Sequence, residues 1–210
     1  MTQNNADFSE TMQLPSPKSD GDRSLEACLK LRRSVREFSQ RSMSVDILSQ
    51  LLWSIQGITG PADHKRTPPS AGGLHPLEVY AVVGKVDTVA PGIYKYFPLN
   101  HTMGRHLAGD LRNDLGRAAL NQTWLADASV SFLLAAVYQR TIQKYGERGY
   151  RYVHMDAGFA AENLHLQTVA LGMGTVVIGA FDDQAVHQLV QLPAEEQPML
   201  IMPVGWSSGR

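Results

Sequence analysis

The sequence predicts one globular domain with a mixed α/β fold. Five apolar segments have the length and composition of buried strands, and segments with helical periodicity lie between them. The chain has 210 residues, of which 43% are hydrophobic, so it is long enough to bury a sizeable core. Because the sequence has no internal repeat and no low-complexity tract, a solenoid is not indicated. We therefore expect a sandwich of one sheet and its surrounding helices.

The chain begins with a segment that does not have the pattern of a domain. Residues 1–22 are polar, and Pro15, Pro17 and Gly21 interrupt any helical or strand period. We expect a flexible or surface-draped arm over 1–22 and the domain itself over 23–210. The first residues also lack a basic stretch followed by an apolar run, so they do not resemble a secretory signal.

Two helices are predicted next from their first residues. Ser24 is the expected cap of a short helix that ends at Leu31. Ser44 is the expected cap of a second helix, in which apolar residues recur at helical spacing as far as Gly57. The segment 58–76 contains four prolines and three glycines and predicts a long loop, which in a compact domain is often functional.

The second half of the chain alternates strands and helices. Apolar and β-branched runs bounded by turn residues predict the five strands. Helical periodicity and stop signals predict three helices, the longest of which carries a stripe of alanine and leucine residues. The predicted strands are 77–84, 92–98, 129–138, 174–180 and 198–205, and the predicted helices are 107–126, 150–171 and 182–190.

Composition argues against several classes of function. Lysine and arginine total 19 against 20 acidic residues, which gives no overall basic footprint for nucleic acid. Cys28 is the only cysteine, and the seven histidines include no i,i+4 pair, so a metal site is not expected. The longest apolar stretch, 130–137, is too short to span a bilayer. We expect a cytoplasmic protein without a metal and without nucleic-acid or membrane partners.

The segment LRRSVREF concentrates positive charge in a chain whose net charge is only −1. It holds three arginines, Arg32, Arg33 and Arg36. Together with the hydroxyl of Ser34, their guanidiniums could bind one phosphate dianion. If the segment is extended, Arg33 points to the side opposite the other two arginines and Ser34. On this motif alone, a solvated basic turn that pairs with nearby glutamates is the alternative.

A second motif, RTPPSAGGLHPLEVY at 66–80, predicts a loop that approaches a flat ligand. Its prolines fix the start of the loop, Ser70 and Ala71 present a hydroxyl and backbone amides, and Gly72 and Gly73 let the backbone come close. The spacing is that of neither a Walker phosphate loop nor a GxGxxG dinucleotide loop.

Taken in order, these pieces resemble the FMN-dependent nitroreductase superfamily and, within it, the SagB-type dehydrogenases. The resemblance spans 14–205 and implies a central, mostly antiparallel sheet flanked by helices, in an intertwined homodimer with noncovalent FMN at the interface. It also implies ping-pong transfer of two electrons from NAD(P)H to a nitro, quinone or similar small-molecule acceptor. The matching pieces are LPSP, RRSVREF, ILSQLLWSIQGIT, TPPSAGGLHPLEVYAVV, PGIYKYFP, KYGERGYRYVHMDAGFAAENLHLQTVALGMGTVVIGAF and PVG.

The resemblance also implies which residues bind the flavin. The opening motif would reach the FMN phosphate, the ribityl chain and the pyrimidine edge of the ring, and the second motif would cover the same flavin from the partner subunit. The implied positions are Arg32, Arg33, Ser34 and Arg36 in the opening motif, Pro69, Ser70, Ala71, Gly73 and Leu74 in the covering loop, and Asn163, Ile178, Gly179 and the C-terminal Arg210.

Lys144 and Tyr145 match a Lys-Tyr pair that azoline dehydrogenases of this branch use to remove a proton. The alternative is that both are loop residues kept by packing. Where branch members commonly read E-A-G-H-x-x-Q-N, this chain has Asp156 first, Phe159 in place of histidine and Glu162 in place of glutamine. These differences argue against an azoline substrate. The candidate residues for a substrate pocket are His75, Trp124, Phe159 and Phe181.

Two other functions stay open at this point. One is oxidation of a thiazoline or oxazoline in a peptide, and the other is noncatalytic binding of FMN. Reduction of bound flavin by NAD(P)H would favour the reductase, whereas oxidation of a thiazoline peptide would favour the dehydrogenase.

Overall fold

The computed structural model describes residues 10–60, 62 and 64–208. Within them the chain forms nine strands and six helices, with short 3-10 turns at Ala71–Gly73 and Thr123–Asp127. The strands are β1 (Thr11–Gln13), β2 (Ile58–Gly60), β3 (Lys65–Arg66), β4 (Leu77–Val83), β5 (Gly92–Phe97), β6 (Thr102–Ala108), β7 (Val130–Ala136), β8 (Gly174–Thr175) and β9 (Gln197–Gly205). The helices are α1 (Leu25–Leu31), α2 (Val45–Gln56), α3 (Arg112–Ala118), α4 (Gln139–Tyr145), α5 (Arg148–Ala170) and α6 (Asp183–Val190).

One seven-stranded sheet forms the centre of the molecule. Its strand order is β1-β6-β5-β4-β7-β9-β8, and every neighbouring pair is antiparallel. Strands β2 and β3 form a separate two-stranded sheet within the predicted long loop. The predicted fold class, a mixed α/β fold with a central antiparallel sheet, is confirmed.

Helices cover both faces of this sheet because its central strands are apolar on both sides. In β4, Val79, Ala81 and Val83 lie in the core cluster that includes α2 and α5. Tyr80 and Val82 lie in a second core cluster, on the opposite face of the sheet, which includes α3 and α6. Alternation along the strand therefore places α5 on one face and α6 on the other.

The helix starts follow the predicted capping residues. Ser24 Oγ accepts a hydrogen bond from the backbone N–H of Ala27 and begins α1, and Ser44 Oγ accepts one from Ile47 and begins α2. These caps confirm that local side-chain chemistry fixes where α1 and α2 begin.

Two predicted elements differ from the structure. The helix predicted over 107–126 is replaced by the end of β6, the short helix α3 and a 3-10 turn, because the chain turns at Gly109, whose φ is 100°. The strand predicted over 174–180 is only two residues long. Beyond it, Ile178 makes a single bridge to Ile201 of β9.

The described part of the N-terminal arm, which the sequence predicts as flexible or draped over the surface, lies against the sheet. Thr11–Gln13 pair with β6, and Leu14 is buried. The carbonyl of Pro15 accepts a hydrogen bond from Ser49 Oγ at 2.6 Å. Leu14 and the partly buried Met12 pack against the core and, with backbone pairing, hold a segment whose composition is otherwise polar. Residues 1–9 of the predicted arm lie outside the described residues.

Candidate functional site

The opening motif runs beside the edge of the sheet at β8. Ser34 forms a parallel bridge with Thr175, and the Val35 N–H donates to the carbonyl of Thr175 at 2.9 Å. The Val35 side chain lies against Gly174, where a Cβ would come within 2.7 Å of it. Since side chains alternate along an extended segment, Ser34 and Arg36 project away from this contact.

The arginines of the opening motif are used in two different ways. Among the described residues, the guanidiniums of Arg32 and Arg36 form no hydrogen bond and no ion pair. Arg33 instead turns back, and its Nη1 donates to the carbonyls of Lys30 at 3.1 Å and Arg32 at 2.7 Å. Arg33 therefore satisfies the end of α1, while Arg32 and Arg36 keep their donors for another group.

Two buried polar atoms near this motif were not found from the sequence. Thr175 Oγ1 and His165 Nδ1 have no hydrogen-bond partner among residues 10–60, 62 and 64–208, although both residues are almost fully buried. Burial and the positive charge of Arg32 lower the pKa of His165 to about 4. The imidazole is therefore neutral near pH 7. No motif marks either residue, and only the fold places them beside the arginines.

The covering loop, 70–75, has a backbone conformation that requires glycine. Gly72 and Gly73 have φ values of 63° and 67°, in the left-handed region that other residues rarely adopt. A Cβ on Gly72 would lie 2.7 Å from Tyr145 Oη and 2.8 Å from Lys144 Nζ. The fold therefore brings the predicted Lys-Tyr pair directly against the tip of the loop.

A buried carboxylate on α5 holds this loop. Ser70 Oγ donates to Asp156 Oδ2 at 2.6 Å, and the backbone N–H of Ala71 faces Asp156 Oδ1 at 3.4 Å. Ser70 Oγ also accepts a hydrogen bond from the His75 N–H at 2.9 Å. Asp156 is only 4% exposed, and this burial raises its pKa, although its two hydrogen bonds act in the other direction. The sequence alone marks Asp156 only as a departure from the branch pattern.

A chain of charged groups connects the end of the loop to the second core cluster. Arg140 Nη1 donates to the His75 carbonyl at 3.0 Å, and the same guanidinium pairs with Glu78. Glu78 lies 3.3 Å from the buried Lys95 Nζ, which also pairs with Glu196 at 2.7 Å. Because each buried charge has an opposite partner, the sheet can hold this end of the loop in place.

Histidine 75 has the second strongly lowered pKa in the site. Its φ is 45°, its Nδ1 is buried without a partner, and burial together with the charges of Arg66 and Arg140 lowers its pKa to about 4. His75 therefore contributes no positive charge near neutral pH.

The structure does not bring the predicted pocket residues together within one chain. Trp124 and Phe181 are partly buried against the second core cluster, and the Trp124 ring lies 6.3 Å from that of Phe38. Phe159 lies on α5 and is 48% exposed. His75 lies in the covering loop, so the four predicted positions occupy three different regions of the described chain.

The other predicted flavin positions are spread over three regions. Ile178 is buried, whereas Gly179 is exposed and a Cβ there would have no atom within 4 Å. Pro69 is exposed and Leu74 is partly buried in the covering loop. The C-terminal Arg210 lies outside the described residues.

Asn163 lies on the side of α5 that faces the N-terminal arm. It lines a cavity of about 530 Å³ together with Trp53 and Thr67. Asn163 and Asp156 are seven residues apart, so they lie on nearly the same face of the helix. Leu25 and Cys28 of α1 line the same cavity, so Asn163 also lies near the helix that leads into the opening motif.

The opening motif and the covering loop lie far apart within one chain. Thr175 aligns across the sheet with Val83, three strands away, whereas the loop joins β4 at its other end, Leu77. Three strand spacings and six residues along the strand correspond to about 24 Å. Asp156, beside the loop, and His165, near the opening motif, are also well separated. Nine residues place them on opposite faces of α5 and about 14 Å apart along its axis.

A groove of about 520 Å³ runs along the side of α5 that carries His165. Its floor contains the small residues Ala157, Gly158 and Ala161, and Val177 lies at its edge. On α5, Met155 and Phe159 are about half exposed. Neither of these two side chains lines the groove, so α5 also carries exposed apolar side chains outside the groove lining.

Most of the chain matches one known protein family. The family model described as "Nitroreductase family" matches residues 29–206, which include the opening motif, the covering loop and α5. The chain belongs to the nitroreductase family. The resemblance inferred from the sequence is thereby confirmed at the level of the superfamily.

Individual relatives agree with this assignment to the nitroreductase family. A protein of Methanocaldococcus jannaschii that is named as a nitroreductase is 40% identical over 196 residues, which are 93% of this chain and 97% of that protein. A nitroreductase structure from Ralstonia eutropha superposes with a TM-score of 0.84 at 28% identity and covers 95% of this chain and 90% of its own. The Microcin B17-processing protein of Escherichia coli is 21% identical over 188 residues, 82% of this chain and 65% of that protein.

Membership of the nitroreductase family supports an oxidoreductase, and the family generally binds flavin and is typically dimeric. The residues of the opening motif fit a flavin phosphate. Within the part of the chain that the structure describes, two guanidiniums without partners flank the exposed Ser34, and the hydroxyl of Thr175 beside them lacks a hydrogen bond. Within the described residues, no helix is long and apolar enough to cross a membrane.

Proposed function

We propose that this chain is an FMN-dependent oxidoreductase that transfers two electrons from NAD(P)H to a nitro, quinone or similar small-molecule acceptor in a ping-pong cycle. The observation that carries the proposal is the pair of free guanidiniums, Arg32 and Arg36, on either side of Ser34. Arginine remains charged and offers several donors to a phosphate dianion. Donors left free in this way favour an anionic ligand.

In this proposal the protein binds and orients, and it needs no nucleophile of its own. The flavin supplies the two-electron redox chemistry when it is bound. Arg32, Ser34 and Arg36 hold the phosphate and the pyrimidine edge, where positive charge stabilises the negative charge that reduction produces. The backbone of the covering loop excludes water from the ring, because Gly72 and Gly73 allow a close approach.

The distance between the two motifs supports a homodimer with two composite sites. The opening motif and the covering loop of one chain are too far apart to contact the same ring system, so we propose that a second copy supplies the loop. The small residues that line the α5 groove, Ala157, Gly158 and Ala161, would allow two such helices to approach closely. The exposed Met155 and Phe159 would then become buried in the interface.

The proposal is tested with purified protein. Apoprotein titrated with FMN should quench flavin fluorescence at a stoichiometry of one FMN per chain, and anaerobic NADH or NADPH should bleach the bound flavin. Steady-state rates with a quinone and a nitroaromatic acceptor should give parallel double-reciprocal lines. Absence of FMN binding would contradict the proposal, and binding without reduction by either donor would favour a noncatalytic FMN-binding protein.

A second candidate function is that of a SagB-type azoline dehydrogenase. It is favoured by the position of Lys144 Nζ and Tyr145 Oη against the loop tip at Gly72 and by the similarity to the Microcin B17-processing protein. A lysine beside a flavin could remove a proton from a thiazoline or oxazoline ring. Flavin-dependent oxidation of a thiazoline peptide, abolished in Lys144→Ala, would establish this activity. Unchanged oxidation in that variant would exclude Lys144 as the base.

A further inference from the structure

The covering loop contains one residue, His75, whose backbone conformation is unfavourable for its type. Over 72–75 the backbone enters the left-handed region three times, with φ values of 63° at Gly72, 67° at Gly73 and 45° at His75. For the histidine this conformation is unfavourable in itself, so surrounding contacts must select it. The question is which contacts do so.

One carboxylate organises both ends of this turn. Asp156 Oδ2 accepts a hydrogen bond from the hydroxyl of Ser70 at 2.6 Å, and Asp156 Oδ1 faces the backbone N–H of Ala71 at 3.4 Å. The same Ser70 oxygen accepts the His75 amide at 2.9 Å. We name these four residues, Asp156, Ser70, Ala71 and His75, the loop clamp. The clamp connects the start and the end of the loop to a single side chain of α5.

The burial of the Asp156 carboxylate strengthens the hydrogen bonds that it accepts. Asp156 is 4% exposed, and a hydrogen bond to a buried charged group is stronger than one between neutral groups. Asp156 lies on α5, a helix of 23 residues, so the loop is held by a rigid element and not by another loop. The clamp thereby sets how closely Gly72 approaches Lys144 Nζ and Tyr145 Oη.

We propose that Asp156 is a positioning residue, which acts through Ser70 and Ala71 to hold the covering loop in the conformation that encloses the flavin and that meets Lys144 and Tyr145. The inference rests on the proposed function, because it assumes that the loop covers a flavin. Asp156 itself touches neither cofactor nor substrate in this role.

Amide hydrogen exchange on the full-length apoprotein tests the clamp before any cofactor is added. In Asp156→Ala the amides of both Ala71 and His75 should exchange at least about tenfold faster, since Ala71 loses its acceptor and the acceptor of His75, Ser70 Oγ, is no longer held in place. In Ser70→Ala only His75 should accelerate strongly. In Asp156→Asn the amide group can still accept from Ser70 but offers no acceptor to Ala71, so Ala71 should accelerate and His75 should stay protected.

FMN affinity then tests whether the clamp acts on the site. Asp156→Ala should weaken FMN binding by about tenfold, the change expected when one charged hydrogen bond is lost, and Asp156→Asn should lie between it and the wild type. Asp114→Asn is the matched control, because it removes a carboxylate from an exposed ion pair with Arg117 on α3. The control should bind FMN like the wild type.

The outcomes separate the two hypotheses. Wild-type exchange at Ala71 and His75 in a folded Asp156→Ala protein would overturn the inference, and so would accelerated exchange with unchanged FMN affinity. If the wild type itself binds no FMN, the proposed function fails, and with it the positioning role. If Asp156→Ala does not fold, Asp156→Asn and Ser70→Ala still distinguish the clamp through their different patterns at the two amides.

Discussion

The opening motif and the covering loop use their polar groups in opposite ways. In the opening motif, Arg32 and Arg36 have no partner among the described residues, so their hydrogen-bonding capacity is directed outward. In the loop, Ser70, Ala71 and His75 are bonded to Asp156 or to each other. The difference indicates that one region recognises a ligand by charge, whereas the other contributes a fixed backbone shape. The two regions should therefore respond differently to substitution.

The largest effect is expected from the free arginines. Replacing both Arg32 and Arg36 by alanine should weaken FMN binding by at least about 100-fold, because each charged hydrogen bond contributes about 1.5–3 kcal/mol. Arg33→Ala is the control, since Arg33 already donates to two backbone carbonyls. Fluorescence titration with FMN measures both variants. An Arg33 variant as defective as the double variant would contradict the division between the arginines.

Mixed dimers would test whether the two regions act across an interface. Arg36→Ala and Asp156→Ala proteins, each impaired at limiting FMN, should regain about one quarter of wild-type activity after unfolding and refolding together, since random pairing makes half of the dimers hybrids with one intact site. Mixing Arg36→Ala with Arg32→Ala should restore nothing, because every hybrid site keeps one defect. Equal recovery in both mixtures would exclude a composite site.

The two loop glycines separate backbone strain from close approach. Gly72→Ala and Gly73→Ala should each destabilise the fold by about 1 kcal/mol, because both positions have positive φ. Only the Gly72 substitution brings a Cβ against Lys144 and Tyr145, because a Cβ added at Gly73 would have no atom within 4 Å. Turnover should thus fall further in Gly72→Ala than in Gly73→Ala at equal FMN saturation. Equal kcat values would show that the approach at Gly72 is not used.

The pH dependence of stability should reflect the protonation of His165, which lies near the opening motif. His165 has a folded-state pKa of about 4 against 6.5 for an ordinary histidine, so between these values protons bind preferentially to the unfolded chain. Stability falls as the pH decreases through this window, by up to about 1.4 kcal/mol per pH unit where the unfolded chain binds one proton more than the folded chain. Urea unfolding of His165→Gln should show a shallower decrease than the wild type.

The smallest expected effect compares the same histidine with its counterpart in the loop. Arg32→Ala removes a positive charge that lowers the pKa of His165 but does not act on His75, whose pKa is lowered by Arg66 and Arg140. NMR titration should show the pKa of His165 rising and that of His75 unchanged. A parallel rise in both would contradict the separation of the two regions.

Much of the fold could be predicted from the sequence because its signals are local. Ser24 and Ser44 cap helices through their own side chains, and the strands within 77–84 and 129–138 are marked by continuous apolar runs. Strand β6 was missed since its residues, TMGRHLA, are not an apolar run and owe their conformation to pairing with β5. Its end and α3 were merged into one predicted helix.

The candidate site was predicted unevenly for a similar reason. The Arg32 and Gly72 motifs are contiguous in sequence, whereas the contact between Ser70 and Asp156 joins residues 86 positions apart. Thr175 and His165 are notable because the fold buries one polar atom of each, and that atom has no hydrogen-bond partner among the described residues. Such features depend on tertiary structure and leave no local pattern.

The short strand β1 has a consequence for how the protein behaves in solution. It occupies one border of the main sheet, where the seven residues of β6 would otherwise present unpaired backbone groups. Open sheet borders recruit strands from other chains and promote aggregation. With three residues at one border and two at the other, in β8, the sheet ends in strands too short to act as templates. Removing the chain before Leu14 would therefore reduce colloidal stability more than it reduces the stability of the fold.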